Sequence, residues 1–433
     1  MDQQVLAQVP LWGRVRSVAR SVTRSVTRSV ARSVVRSEVR SEVRSVTRSV
    51  MRSEARSVVR SVVRSVVRSV ARSEARSAMG AALRPAVRAV AVSVTAAAVA
   101  VAGGLGSGPA QAAVGLGEIA ASPAHGLITL YYPSADAPQP VQRGPLTLTV
   151  APQGQPQRGN GRLVVISHGS GGSPWVHADL AGALVQAGFV VAMPEHRGDN
   201  YRDPAHPGPE SWGQRPAEVS AAIDAVAADP RFAPLLQLDR VGMYGMSAGG
   251  HTALSLAGGR WSPAGFAQHC QAHLAEDFQT CVGLITRLTG GPLDGIKQWL
   301  AKVVIRHRFD DATPQTHRDP RVVAVVAGVP LAADFDMASL AAPPVPLALV
   351  TASADRWLVP AFHSDRVLAA CKTCEHLADM PGAGHGALLS PLPPGFTGLV
   401  GDLLNDPPGF DRSQLPAVDQ KIAGFFSRHL LPR

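Results

Sequence analysis

A serine hydroxyl is a poor nucleophile at neutral pH unless a base takes its proton and a carboxylate steadies that base. One serine in this chain is placed to receive both. Residues 240–244 form an apolar run that enters Gly245-Met246-Ser247-Ala248-Gly249 and then an Ala/Leu pattern of helical type. A G-x-S-x-G between strand and helix sets the serine on a sharp turn, where small neighbours avoid collision and the hydroxyl stands clear of the backbone. The same five residues alone also suit a tight turn in a nucleotide-binding fold, so the partners decide. The run 347–352 leads to Ser353-Ala354-Asp355, and the run 375–380 leads to Pro381-Gly382-Ala383-Gly384-His385. Ser247, Asp355 and His385 thus follow the chain order Ser, Asp, His, each just after a strand. His385 is expected as the base and Asp355 as the carboxylate that orients it.

Rival residues exist. Of 14 histidines, His196 and His251 compete most seriously for the base. His251 lies on the nucleophile's own helix, four residues on, where it points poorly, and His196 suits a cleft or structural place. Asp334 and Asp336 follow the preceding strand and compete with Asp355 for the acid, which some hydrolases carry one strand earlier. Negative charge on a reacting carbonyl oxygen needs preorganised donors. The glycine-rich loop His168-Gly169-Ser170-Gly171-Gly172 ends the apolar run 162–167, and the amides of Ser170 and Ala248 are the expected donors. A phosphate-cradling role for that loop would need a Lys-Ser/Thr pair or a complete G-x-G-x-x-G, and neither is present.

These residues need a scaffold that brings distant loops to one edge. Val/Ile/Leu-rich runs at 127–132, 146–151, 162–167, 190–194, 240–245, 322–326, 347–351 and 375–380 read as strands. Helical patterns at 176–187, 215–228, 248–257, 361–370 and 416–430 alternate with them. Such alternation predicts an α/β fold, a mostly parallel central sheet with helices on both faces. The first two strands are expected to form an antiparallel edge hairpin. Residues 258–320, with a helical pattern at 293–304, read as a helical insertion after the nucleophile helix, near the active-site mouth.

With those residues in place, the body resembles the α/β-hydrolase superfamily. Within it, the similarity is to the dienelactone-hydrolase-like group that shades into platelet-activating-factor acetylhydrolases and polyester hydrolases. The matching stretches are LVVISHGSGGS, VVAMPEHRGDN, RVGMYGMSAGGHTAL, the Asp355 loop and PGAGH, spread in the fold's order over residues 125–430. The resemblance implies a Ser247–Asp355–His385 triad and an acyl-enzyme intermediate. One departure is that dienelactone hydrolases use a cysteine nucleophile, so the serine here favours an ordinary ester over a lactone. The expected activity is carboxylic ester hydrolysis on a small-molecule or lipid ester, with no cofactor and no metal. Amide cleavage on the same fold, or a non-catalytic binding role, are the alternatives.

Composition divides the chain of 433 residues. From Arg16 to Arg76 an arginine falls on every fourth residue in an Arg-Ser-x-x repeat, and residues 1–78 carry 17 arginines against five acidic side chains. A four-residue period drifts by about 40° per repeat on a helix and stacks like charges at i,i+4. The repeat is expected to be disordered, or to lie upstream of the true start at Met79. Residues 79–112 then read as a signal peptide: Arg84 and Arg88, an apolar run at 89–102, and Ala110-Gln111-Ala112 as a cleavage site. Residues 113–433 form the expected catalytic domain, which holds 23 basic and 27 acidic residues. The overall net charge of +10 thus resides outside the folding part, and no nucleic-acid partner is expected for it. No stable membrane anchor is expected either, and the protein is expected to be exported. An oxidising compartment permits disulfides. Cys270 with Cys281 and Cys371 with Cys374 are the nearest pairings in sequence, while Cys371-Lys-Thr-Cys374 also reads as a redox pair or half a zinc site.

Overall fold

The computed structural model describes residues 112–392 and 395–432. The arginine repeat and the expected signal peptide, apart from Ala112, lie outside the described residues. The described strands are β1 (Ala113–Ile119), β2 (Ile128–Ser134), β3 (Gln139–Arg143), β4 (Leu146–Pro152), β5 (Leu163–Ser167), β6 (Val190–Pro194), β7 (Val241–Met246), β8 (Arg260–Trp261), β9 (Val322–Gly328), β10 (Phe335–Asp336), β11 (Leu347–Ala352) and β12 (Glu375–Met380). The helices are α1 (Ala178–Gln186), α2 (Pro209–Ala228), α3 (Ala248–Leu256), α4 (Pro263–His273), α5 (Phe278–Val282), α6 (Asp294–Arg308), α7 (Ser364–Ala370), α8 (Gly398–Leu404) and α9 (Leu415–Leu430).

Ten strands form one sheet in the order β12-β11-β9-β7-β5-β6-β2-β1-β4-β3. From β12 to β6 every pairing is parallel. β2 then pairs antiparallel with β6 and with β1, and β3 pairs antiparallel with β4. The central strands are continuous apolar runs because both faces are covered. Along β5, Leu163 and Val165 enter one core while Val164 and Ile166 enter the other. α2 and α3 cover the first face through residues such as Trp212, Val219, Ile223 and Leu254. α1 and α9 cover the second through Leu180, Leu184, Ile422, Phe425 and Phe426. Each such side chain contributes about 1.5–3 kcal/mol of burial.

Three expectations need correction. The first two predicted strands do not form a hairpin: β2 pairs with β1 and β6, while β4 pairs parallel with β1 and antiparallel with β3. β1 and β3 escape a pattern search because β1 carries two glycines in seven residues and β3 is polar and largely exposed. The expected helix 215–228 begins at Pro209, since Pro216 sits inside α2 rather than at its start. Residues 258–320 hold α4 and α5 as well as the expected helix, which runs as α6 over Asp294–Arg308. Both sequence-adjacent cysteine pairs are disulfides, Cys270–Cys281 linking α4 to α5 and Cys371–Cys374 closing the turn before β12. Among the described residues no helix is long and apolar enough to cross a membrane.

One core residue makes stability depend on pH. His177 is buried with both ring nitrogens lacking a hydrogen-bond partner, and its ring lies against that of Tyr244. Burial pushes its pKa down from 6.5 to about 4. An unfolded chain therefore binds a proton between pH 6.5 and 4 that the native state refuses, so stability falls as pH drops through that window, by about 3 kcal/mol. His177→Phe is expected to flatten this dependence, read as urea unfolding at a series of pH values. An unchanged slope would exclude His177 as its source.

Candidate active site

The turn between β7 and α3 is tightly constrained. Ser247 adopts φ 60°, ψ −119°, a conformation that an L-residue holds at a cost of about 1–3 kcal/mol. Its amide donates to Gly328 O at 3.1 Å, and its carbonyl accepts from Leu331 N and His251 N. Gly245 and Gly249 are required by close approach: a Cβ on Gly249 would lie 1.9 Å from Ser167 O, and one on Gly245 1.8 Å from Gly249 O. Between two buried neighbours, Ser247 alone stays partly exposed.

The structure brings the three predicted side chains into one line. Ser247 Oγ lies 2.9 Å from His385 Nε2, and His385 Nδ1 lies 2.7 Å from Asp355 Oδ2. Because the carboxylate only accepts, Nδ1 carries the proton and Nε2 presents its lone pair to the serine. Asp355 Oδ1 accepts from Trp357 N at 2.8 Å and Leu358 N at 2.9 Å, which fixes the carboxylate from its other side. Both Asp355 and His385 are buried.

The glycine-rich loop lies over the serine, since a Cβ on Gly169 would stand 3.3 Å from Ser247 Cβ and 3.7 Å from its Oγ. Gly172 N donates to Gly169 O and Gly171 N donates to Asp199 Oδ1. The amides of Ser170 and Ala248 have no such partner among the described residues, which leaves them available to an incoming oxygen.

The rivals are engaged elsewhere. His251 Nε2 pairs with Asp334 Oδ2 at 3.0 Å inside a wall of Trp212, Trp261 and Phe335. Asp336 forms an exposed ion pair with Arg260. His196 accepts from Ser167 Oγ at 2.7 Å and donates Nδ1–H to Glu218 at 2.7 Å. Burial, helped by the nearby Arg215, holds His196 well below the usual histidine pKa, so its ring is neutral.

Sequence reasoning assigned no role to the charges beneath the loop. Arg215, wholly buried on α2, donates to His168 O at 2.6 Å, to Asp199 Oδ2 at 2.8 Å and to Ser211 Oγ at 2.9 Å. Asp199 in turn accepts from Ser170 Oγ at 2.5 Å and Gly171 N at 3.0 Å. Burial alone pushes the Asp199 carboxyl up, but Arg215 and the Ser170 and Gly171 donors together hold it below the usual range. This ion pair holds the loop at three residues, His168, Ser170 and Gly171. A signal for it was present: Ser211, Arg215 and Glu218 lie on the apolar face of α2, where charged side chains are rare unless paired.

His269, Asp277 and His363 form a second buried cluster whose ligand atoms lie within 4.8 Å of one another. Ala332 N donates to His363 Nδ1 at 2.9 Å, so His363 Nε2 carries the proton and donates to Asp277 Oδ2 at 3.0 Å. That tautomer leaves no lone pair on Nε2 for a cation. The cluster instead joins the inserted helices to the Asp355 loop, because Thr280 Oγ1 reaches Trp357 O at 2.8 Å. No model of a known protein family matches the chain, and no curated protein matches it.

Proposed function

We propose that the protein is a serine hydrolase of the α/β-hydrolase type that cleaves carboxylic esters through an acyl-enzyme intermediate. The observation that carries this is the unbroken line from Ser247 Oγ through His385 to Asp355. The parallel run β12-β11-β9-β7-β5-β6 supports the same reading, because the three side chains follow the carboxyl ends of β7, β11 and β12.

Ser247 Oγ attacks the ester carbonyl carbon as its proton passes to His385 Nε2, and the amides of Ser170 and Ala248 receive the oxyanion. Asp355 stabilises the imidazolium. His385 then gives the proton to the departing alkoxide, the C–O bond breaks, and the acyl group stays on Ser247. A water molecule then gives its proton to His385 and attacks the acyl carbonyl; the bond to Ser247 Oγ breaks, His385 returns the proton to that oxygen, and the acid is released. The two disulfides support an oxidising compartment and hence export.

A fluorophosphonate probe on the full chain is expected to add to Ser247, located by mass mapping of the adduct. Short- and long-chain p-nitrophenyl esters are expected to turn over, and amino-acid amides much more slowly. Preferential amide turnover would replace esterase by amidase. No adduct and no turnover would leave a binding protein.

A further inference from the structure

α6 is unlike the other long helices. Of its fifteen residues only Ile305 is fully buried. Leu293, just before it, and Ile296, Trp299, Leu300, Val303 and Val304 within it stand exposed, Trp299 at 65%. Their spacing, with steps of three and four, makes one continuous apolar stripe facing water. Single exposed apolar residues are ordinary, but a stripe of this length marks a surface built to be covered.

Its surroundings indicate by what. Leu284 and Ile285, the latter 86% exposed, add exposed apolar surface in the stretch before the helix. Next to them Arg287 forms an ion pair with Asp402 on α8, which also carries the exposed Val400. α8 packs on the turn that holds His385: a Cβ on Gly386 would lie 2.2 Å from Leu404 O. Arg287 thus ties this stretch to α8, which adjoins the turn that carries His385. Charge supplies the second argument. Lys297 pairs with Asp294, but α6 also carries Lys302, whose ammonium donates to Gln271 O, and Arg306 and Arg308, an excess of positive charge where residues 113–433 as a whole are acidic. Arg306, His307 and Arg308 are exposed, and Asp310 and Asp311 follow past the helix end. Arg306 also borders an open groove of about 540 Å³ between α4 and α6, floored by Ala264, Ala267 and Phe309. Apolar residues with a tryptophan on one side and lysine or arginine beside them are what lets a helix lie in a lipid–water interface.

We propose that α6 and the preceding loop dock on the surface of an anionic phospholipid bilayer. The docking itself is independent of catalysis; its use, to bring the cleft to a lipid ester, rests on the hydrolase reading.

The arginine repeat of the full chain is itself cationic, so capture on vesicles is not the readout. The test is the fluorescence of Trp299, taken as the difference between the full-length protein and its Trp299→Phe variant. Phosphatidylglycerol vesicles with brominated acyl chains are expected to shift this emission to shorter wavelength and quench it. Phosphatidylcholine vesicles at equal lipid are expected to act at least about tenfold more weakly. Ile296→Ser with Leu300→Ser, both exposed, is expected to remove the quenching while leaving hydrolysis of a soluble nitrophenyl ester unchanged. A chain held on the vesicles with Trp299 unquenched overturns the proposal. So does a dimer, seen by sedimentation without lipid, that the double variant disperses, because a second copy then covers this face. If no ester is cleaved by any form, the hydrolase reading falls, and the quenching still decides the docking.

Discussion

Ser247→Ala is expected to lower kcat on a nitrophenyl ester by at least about 10⁴-fold, equivalent to about 5 kcal/mol of transition-state stabilisation. The variant keeps His385, Asp355 and both candidate oxyanion amides, yet it has no oxygen to form the acyl-enzyme. Residual turnover would come from the amides and binding alone. The Ser247 side chain touches the rest of the protein through its bond to His385. Its loss is therefore expected to change unfolding free energy by no more than about 0.5 kcal/mol, apart from the backbone conformation that any residue there must share. Steady-state rates and urea unfolding of the same preparation check both halves. Turnover within tenfold of the parent protein would place the nucleophile elsewhere.

Arg215→Met is expected to be the most destabilising single change near the site, by roughly 3–5 kcal/mol, because it strands the buried Asp199 carboxylate without its partner. It also releases His168 O, so the loop over Ser247 loses the contacts that aim it. A second variant separates the two effects. Arg215→Met combined with Asp199→Leu removes both charges, and pairs so replaced by apolar residues often fold as well as the original. Stability is expected to recover in the double variant while kcat stays depressed, because His168 O remains released and Ser170 and Gly171 now lose their acceptor as well. Recovery of turnover along with stability would show that the pair holds the fold and has no part in aiming the loop. Thermal melts together with kcat and KM for both variants settle the point.

The parts of this architecture that were legible in the sequence are those written in contiguous residues. β6 runs where its apolar pattern places it, and the small residues around Ser247 announce the turn because a tight turn excludes large ones. His385 and Asp355 could be found because each lies on a loop directly after such a strand. Contacts between residues far apart in the chain were not legible. Nothing local to Arg215 reveals that its partner is Asp199, and nothing near Asp277 reveals His363, 86 positions away. β3 was lost for a different reason: at the end of the sheet its polar side chains face water, so it lacks the apolar pattern by which strands are recognised. α4 shows no strong apolar side, because it packs partly on other inserted helices rather than on the sheet.

The left-handed backbone at residue 247 sets folding and chemistry against each other at a single position. Glycine is the one amino acid at ease with such a torsion, and glycine has no hydroxyl. Tension at this point must be outweighed by the hydrophobic layers above and below the sheet. The oxygen is consequently held forward by the chain path itself, before any other molecule approaches it.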